Sequence, residues 1–114
     1  MALQEAMVER DAAEAAQRKA AALAQHAEGL LRQGHDANRG GDFAKARRCF
    51  QEAHALQKKP AALVSAANMA LKMGEASTAR REYEQALKAD GLGDKLKQAI
   101  NAKLQVRTPA DREP

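Results

Sequence analysis

Residues 41–53 read GDFAKARRCFQEA, and residues 74–86 read GEASTARREYEQA. The two stretches lie 33 positions apart and agree at the glycine, at the Ala-Arg-Arg triplet and at the final alanine. Phe50 in the first stretch aligns with Tyr83 in the second, so an aromatic side chain recurs as well. The same offset aligns two earlier residues, Leu30 and Ala37, with Leu63 and Ala70. An internal repeat of this length predicts a stack of similar supersecondary units.

Each repeat is predicted to contain two helices separated by a turn at its glycine. Alanine fills 28 of the 114 positions, and it is the best helix former and a poor strand former. Apolar side chains recur at intervals of three and four, which is the spacing of one helix face. In the first unit these are Phe43, Ala46, Phe50, Ala53 and Leu56. The sequence therefore predicts an all-α fold built from antiparallel helical hairpins.

Glycine and proline positions divide the chain into segments. The two units are predicted to cover residues 28–59 and 60–92, with Pro60 in the first turn of a helix, where its missing donor costs nothing. Residues 93–106 are predicted to form a closing helix with one wet, lysine-rich face, as the end of a repeat stack needs. The polar, proline-bearing residues 107–114 are predicted to be a disordered tail.

The repeat resembles the tetratricopeptide repeat, a helical hairpin of about 34 residues. The second helix of that family carries a small residue, an aromatic residue four positions later and an alanine three positions after that. This spacing occurs twice, as Ala46, Phe50 and Ala53 and as Ala79, Tyr83 and Ala86. The resemblance implies a short solenoid of stacked hairpins over residues 28–106.

Residues 1–27 are predicted to form an alanine-rich helix, because no glycine or proline interrupts them. Small and apolar residues alternate by three and four along it, as in a coiled-coil seam. This alanine seam consists of Ala6, Ala13, Ala16, Ala20, Leu23, Ala27 and Leu30. The helix either continues into the first repeat, which we favour, or turns near His26 as part of a degenerate earlier repeat. The seam either packs on the repeats or forms a homodimer through residues 2–30.

The resemblance implies a concave groove lined by the first helices, in which family members bind partner peptides. The implied groove residues lie one and five places after Leu30, Leu63 and Leu96, and they are Leu31, His35, Val64, Asn68, Lys97 and Asn101. Family members that clamp the terminal carboxylates of heat-shock chaperones use lysine-asparagine, asparagine, and lysine-arginine at five of these places. Asn68 and Lys97 match that pattern, whereas the other clamp positions differ. The mixed composition favours an amphipathic partner segment with acidic character.

Catalytic chemistry finds little support in the sequence. Cys49 lies between an arginine and an aromatic residue without a base at a suitable spacing, and a free cysteine is usually a small hydrophobe. His26, His35 and His54 are separated by nine and nineteen residues, which is not a metal-ligand pattern. The glycine turns lack the strand and the lysine of a phosphate loop. We therefore expect no enzyme activity, no metal and no cofactor.

The net charge of +4 is a mild basic bias. Arg47-Arg48 and Arg80-Arg81 occupy equivalent places, so they are expected to form a basic ridge on the second helices, in the manner of a phosphate-tracking stripe. No aromatic platform for bases accompanies the ridge, and the sequence argues against nucleic acid as a partner. There is no apolar run of the roughly 18 residues that a membrane span needs, and a cytoplasmic location is expected.

Taken together, the sequence predicts a tetratricopeptide-like scaffold or adaptor that binds another protein, as a peptide or helix, in its groove. One alternative is a structural coiled-coil element for oligomerisation, stabilised by its repeats. A second alternative is the repeat fragment of a larger protein.

Overall fold

The computed structural model describes residues 2–105, with side chains from Val8 onward. The helices are α1 (Ala2–Arg39), α2 (Phe43–Gln57), α3 (Pro60–Lys72), α4 (Ala76–Lys88) and α5 (Asp94–Gln105). No strand occurs in this described part of the chain. The predicted all-α class is confirmed, while the predicted tail at residues 107–114 lies outside the described residues.

Equivalent glycines form the turns inside the two hairpins. Gly41 between α1 and α2 has φ 84°, and Gly74 between α3 and α4 has φ 81°. This left-handed conformation is strained for a residue with a Cβ, and glycine adopts it freely. Asp42 then caps α2, because its side chain accepts a hydrogen bond from the Lys45 backbone N–H at 3.1 Å. Pro60 is in the first turn of α3, as predicted from its missing donor.

Fully buried alanine side chains lie between the packed helices. Ala46 of α2, Ala66 of α3 and Ala79 of α4 are each 0% exposed. Phe50 and Tyr83, the aligned aromatic residues, are also fully buried. One buried cluster joins α2 and α3 with partly buried residues of α1, and another joins α3, α4 and α5. Because the helix surfaces carry small residues at these positions, neighbouring backbones approach closely and the aromatic rings fill the remaining volume.

Gly34 permits one further close approach. A Cβ at this position of α1 would lie 2.7 Å from Cε1 of Phe50. That distance is well inside van der Waals contact, and the Phe50 ring is buried on all sides. The glycine therefore allows the Phe50 ring to pack directly against the α1 backbone.

Arg47 connects three helices through an ion pair that the sequence reasoning did not find. Its guanidinium lies 2.5 Å from the Glu82 carboxylate of α4 and donates to the Ala66 carbonyl of α3 at 2.8 Å. The two charged side chains are only 14% and 13% exposed. The expected basic ridge is therefore corrected: Arg47 is paired inside the fold, whereas Arg48 and Arg81 are exposed.

The first helix is continuous and extends far beyond its neighbours. It runs for 38 residues and has no break at residues 27 and 28, so the predicted N-terminal helix continues into the first repeat. Ala27 and Leu30 are buried against α2 and α3, whereas every described residue from Val8 to Leu23 is exposed. The alternative in which this part of the alanine seam packs on the repeats is therefore wrong. The overhang gives the molecule its elongated extents of 71 × 29 × 22 Å.

Replacing Ala46 or Ala79 by leucine should destabilise the fold, because neither site has room for three more carbons. Overpacking of this kind costs about 1–3 kcal/mol, and each kcal/mol lowers the melting temperature of a domain of this size by roughly 4–8 °C. Thermal unfolding followed by circular dichroism measures the change. Ala44→Leu is the matched control, since Ala44 is exposed on the same helix as Ala46. Equal melting temperatures for Ala46→Leu, Ala79→Leu and the control would contradict this packing.

Candidate functional site

The apolar residues predicted to line the groove are drawn into the core. Val64 is 5% exposed and packs in the cluster shared by α3, α4 and α5. Leu31 is half-buried and packs against both clusters that involve α1. Since these two side chains are covered by the chain itself, the surface left to a partner is mainly polar.

The predicted positions His35 and Asn68 make equivalent contacts in the two units. The exposed His35 ring meets the Phe50 ring edge to face, with centroids 5.1 Å apart and an interplanar angle of 64°. Thirty-three residues later, the Tyr83 hydroxyl donates a hydrogen bond to Oδ1 of Asn68. In each unit, a side chain of the first helix therefore rests on the buried aromatic residue of the second helix.

Lys103 of α5 joins the second of these contacts. Its Nζ donates to Oδ1 of Asn68 at 2.5 Å and lies 5.7 Å from the centroid of the Tyr83 ring. The groove residues that the resemblance implies on α5 are Lys97 and Asn101. Both are exposed, and neither side chain forms a hydrogen bond or ion pair with the described part of the chain.

The helix α5 packs on its neighbours through a different set of positions from α3. Ala66 and Met69 of α3 are buried against α1 and α2, but their equivalents on α5, Ala99 and Ala102, are exposed. Instead α5 packs through Ile100, with Leu96 and Leu104 partly buried beside it. Lys97 and Lys103 lie three residues before and after Ile100, and thus on opposite flanks of the packed side of the helix. The Lys103 flank adjoins Asn68, a choice between the two lysines that spacing in the sequence does not make.

Lys72 forms a second site of the same kind, which the sequence reasoning also missed. Its Nζ donates to Oδ1 of Asn38 on α1 at 2.8 Å. The same ammonium lies 5.2 Å from the centroid of the Phe43 ring on α2. A cation over an aromatic ring is attracted by the ring's negative face. Both lysines are therefore held by an asparagine amide and an aromatic ring.

These residues form one surface, which we call the first-helix face: His35, Asn38, Asn68, Lys72 and Lys103. Asn68 and Lys72 are four residues apart on α3 and so lie on the same side of that helix. Burial lowers the pKa of the Lys103 ammonium, and the positive charge of Lys72 lowers that pKa further. Neither lysine pairs with a carboxylate within residues 8–105. The face thus carries two neighbouring, uncompensated positive charges.

Other candidate sites offer fewer polar groups that a ligand could contact. A depression of about 300 Å³ lies at the α1–α2 turn, but Asp36 there pairs with Arg39 and Asp42 caps α2. Cys49 is buried on α2. Among residues 8–105, no three His, Cys, Asp or Glu side chains come together as metal ligands. None of the described helices combines the length and apolar character of a membrane span.

The titration of Tyr83 tests its burial directly, because it is the single tyrosine of a chain without tryptophan. Burial raises the pKa of the hydroxyl from 10.0 to about 12, and the Glu82 charge adds to the shift. Because the pKa of Tyr83 is higher in the folded state than in the unfolded state, burial of the neutral hydroxyl contributes to the free energy of unfolding. That contribution is complete below about pH 10 and is lost as the pH rises towards 12. Tyrosinate absorbance should therefore rise near pH 12 in buffer and near pH 10 in denaturant. A midpoint near 10 with the helical circular dichroism retained would contradict the burial.

The chain matches no known protein-family model, no curated protein and no solved structure at a significant level. Its function must therefore be argued from its own geometry.

Proposed function

We propose that this protein is a non-catalytic interaction module, a tetratricopeptide-like scaffold or adaptor that binds a segment of a partner protein on its first-helix face. The observation that carries the proposal is the recurrence of one surface contact in both units. His35 on Phe50 and Asn68 on Tyr83 are related by the repeat offset. The buried aromatic residues thereby hold a line of polar side chains in place across successive first helices.

The solenoid architecture is supported by the packing order. Three-residue connections join α1 to α2 and α3 to α4, which is typical of antiparallel neighbours. Each helix contacts the next one along the chain, and the fully buried alanines Ala46 and Ala79 are equivalent in the two units. In such stacks the first helices line one surface, and extended binding surfaces are formed that way.

The chemistry of the face favours an acidic partner over an amphipathic one. Val64 and Leu31 are packed inside, so the face has little apolar area to offer. Two lysines without carboxylate partners give it a positive potential, which attracts acidic segments and speeds their association. The proposal includes no metal, no cofactor and no nucleic acid, and it places the protein in the cytoplasm.

Selection of displayed random peptides on the full chain tests this function. Enriched peptides should shift the backbone amide resonances of His35, Asn38, Asn68 and Lys72 and leave those of the second helices largely unchanged. Two-dimensional NMR with labelled protein locates the footprint. Enrichment no better than on bare support, or a footprint confined to α2 and α4, would overturn the proposal.

A second candidate function, homodimerisation, is favoured by the exposed overhang of α1. The alanine seam lies on the same face of α1 as the buried residues Ala27 and Leu30. Towards the N-terminus this face includes Leu23, which is 37% exposed. Covering apolar surface stabilises by about 25 cal/mol per Å². Alanine offers little area per residue, so a dimer through residues 2–30 needs contact along most of that length.

Charge placed in the seam should prevent this dimer. Ala16→Glu puts a carboxylate on the face that is continuous with Leu30, whereas Ala21→Glu adds the same charge on the opposite side of α1. Light scattering at two protein concentrations should show a dimer for the original chain and for Ala21→Glu, and a monomer for Ala16→Glu. An original chain that stays monomeric at high micromolar concentration would end the dimer proposal.

A further inference from the structure

Two ammonium groups on the first-helix face are anchored but not neutralised. A lysine ammonium has three donors, and Lys72 and Lys103 each use one of them on an asparagine oxygen. Neither has a carboxylate partner in the described part of the chain. Each therefore keeps donors for an anion that approaches from solvent.

Resting on the function proposed above, we propose that Lys72 and Lys103 form a subsite for two carboxylates of an acidic partner segment. Neither lysine is at a position where the resembled family carries its carboxylate clamp, since those positions correspond here to residues 31, 35, 68, 97 and 101. The subsite instead depends on the packing of α5 through Ile100, with Lys103 beside Asn68.

The lysine side chains are held in place before any ligand arrives. Asn68 accepts from both the Tyr83 hydroxyl and Lys103, so its oxygen fixes the ammonium relative to a fully buried ring. Lys72 is fixed in the same manner by Asn38 and the Phe43 ring. Ordering a long side chain costs about 0.5–1.5 kcal/mol on binding, and anchoring reduces that cost.

The two ammonium groups are held at different anchors, which suits carboxylates on separate residues. The Lys103 ammonium lies at Asn68 of α3. The Lys72 ammonium lies at Asn38 of α1 and near the Phe43 ring of α2. A segment with several acidic residues can therefore offer one carboxylate to each lysine.

The position of the subsite residues in their helices favours carboxylates on separate residues over a phosphate group as the ligand. Asn38, Lys72 and Lys103 all lie in the last turns of their helices, where the helix dipole is negative. Phosphate sites instead use helix N-termini, whose free N–H groups point at the anion. Carboxylates, with a single charge each, meet less repulsion at this end than a compact dianion does.

The probes are an end-capped hexaglutamate peptide, hexaglutamine and inorganic phosphate, each titrated into the full chain and followed by amide resonances. Lys72→Gln combined with Lys103→Gln removes the subsite. Lys45→Gln combined with Lys88→Gln is the matched control, because it removes the same charge from exposed lysines on α2 and α4. If circular dichroism shows that the Lys72→Gln, Lys103→Gln double variant does not fold, the two single variants replace it in the titrations.

Hexaglutamate should bind the original chain and the control pair with similar affinity, and the subsite pair roughly tenfold more weakly, as expected for two partly exposed charge contacts. Binding should weaken with salt, and hexaglutamine should not bind.

Equal weakening of hexaglutamate binding in both pairs of variants would overturn the subsite in favour of non-specific attraction. If phosphate binds as tightly as hexaglutamate and the same variants lose that binding, the proposal that the ligand is an acidic protein segment would be overturned. If displayed peptides bind the face while hexaglutamate does not, the subsite fails and the interaction function stands; if neither binds, both fail.

Discussion

The close approach of helices at small residues is the constraint on which the structure depends. Ala46, Ala66 and Ala79 have no exposed surface, and Gly34 has no room for a Cβ beside Phe50. Alanine buries little area itself, so the stabilising burial comes from the few large side chains that the short inter-helix distances enclose. A chain with two phenylalanines and one tyrosine forms a dense core only because its backbones come this close.

The same packing gives the surface its order. Because Phe50 and Tyr83 are fixed in the core, the polar groups that rest on them, His35 and Asn68, have defined positions. Lys103 then binds to Asn68, and its place is set by an oxygen that is itself held by a buried hydroxyl. A surface of asparagines and lysines would ordinarily be mobile, but here Asn68 and Lys103 are linked to the buried Tyr83, and Lys72 lies over the partly buried Phe43 ring.

The two halves of α1 show what the repeats contribute. Both halves carry the same seven-residue pattern of small residues, yet Ala27 and Leu30 are buried whereas Ala20 and Leu23 are exposed. The pattern determines which side of the helix is suited to packing, and the presence of α2 and α3 determines where that packing occurs. From Val8 to Leu23 the overhang is exposed, and no other described helix covers it.

The sequence alone determined the helical class, the turns at Gly41 and Gly74 and the recurrence of the buried aromatic residues. These features depend on propensity, period and backbone freedom, which are local and act over a few residues. The surface could be predicted only in part: the resemblance implied His35 and Asn68, which make equivalent contacts, but on α5 it implied Lys97 and Asn101, whereas Lys103 makes the contact. The helix α5 packs through Ile100, whereas its equivalents of the buried Ala66 and Met69 of α3 are exposed.

Only the tertiary structure therefore decided that Lys103 lies beside Asn68 and that Arg47 pairs with Glu82, residues separated by 35 positions. Contacts between residues so far apart in sequence depend on the rotation and crossing of whole helices. Small changes in packing shift those quantities, and no local pattern encodes them.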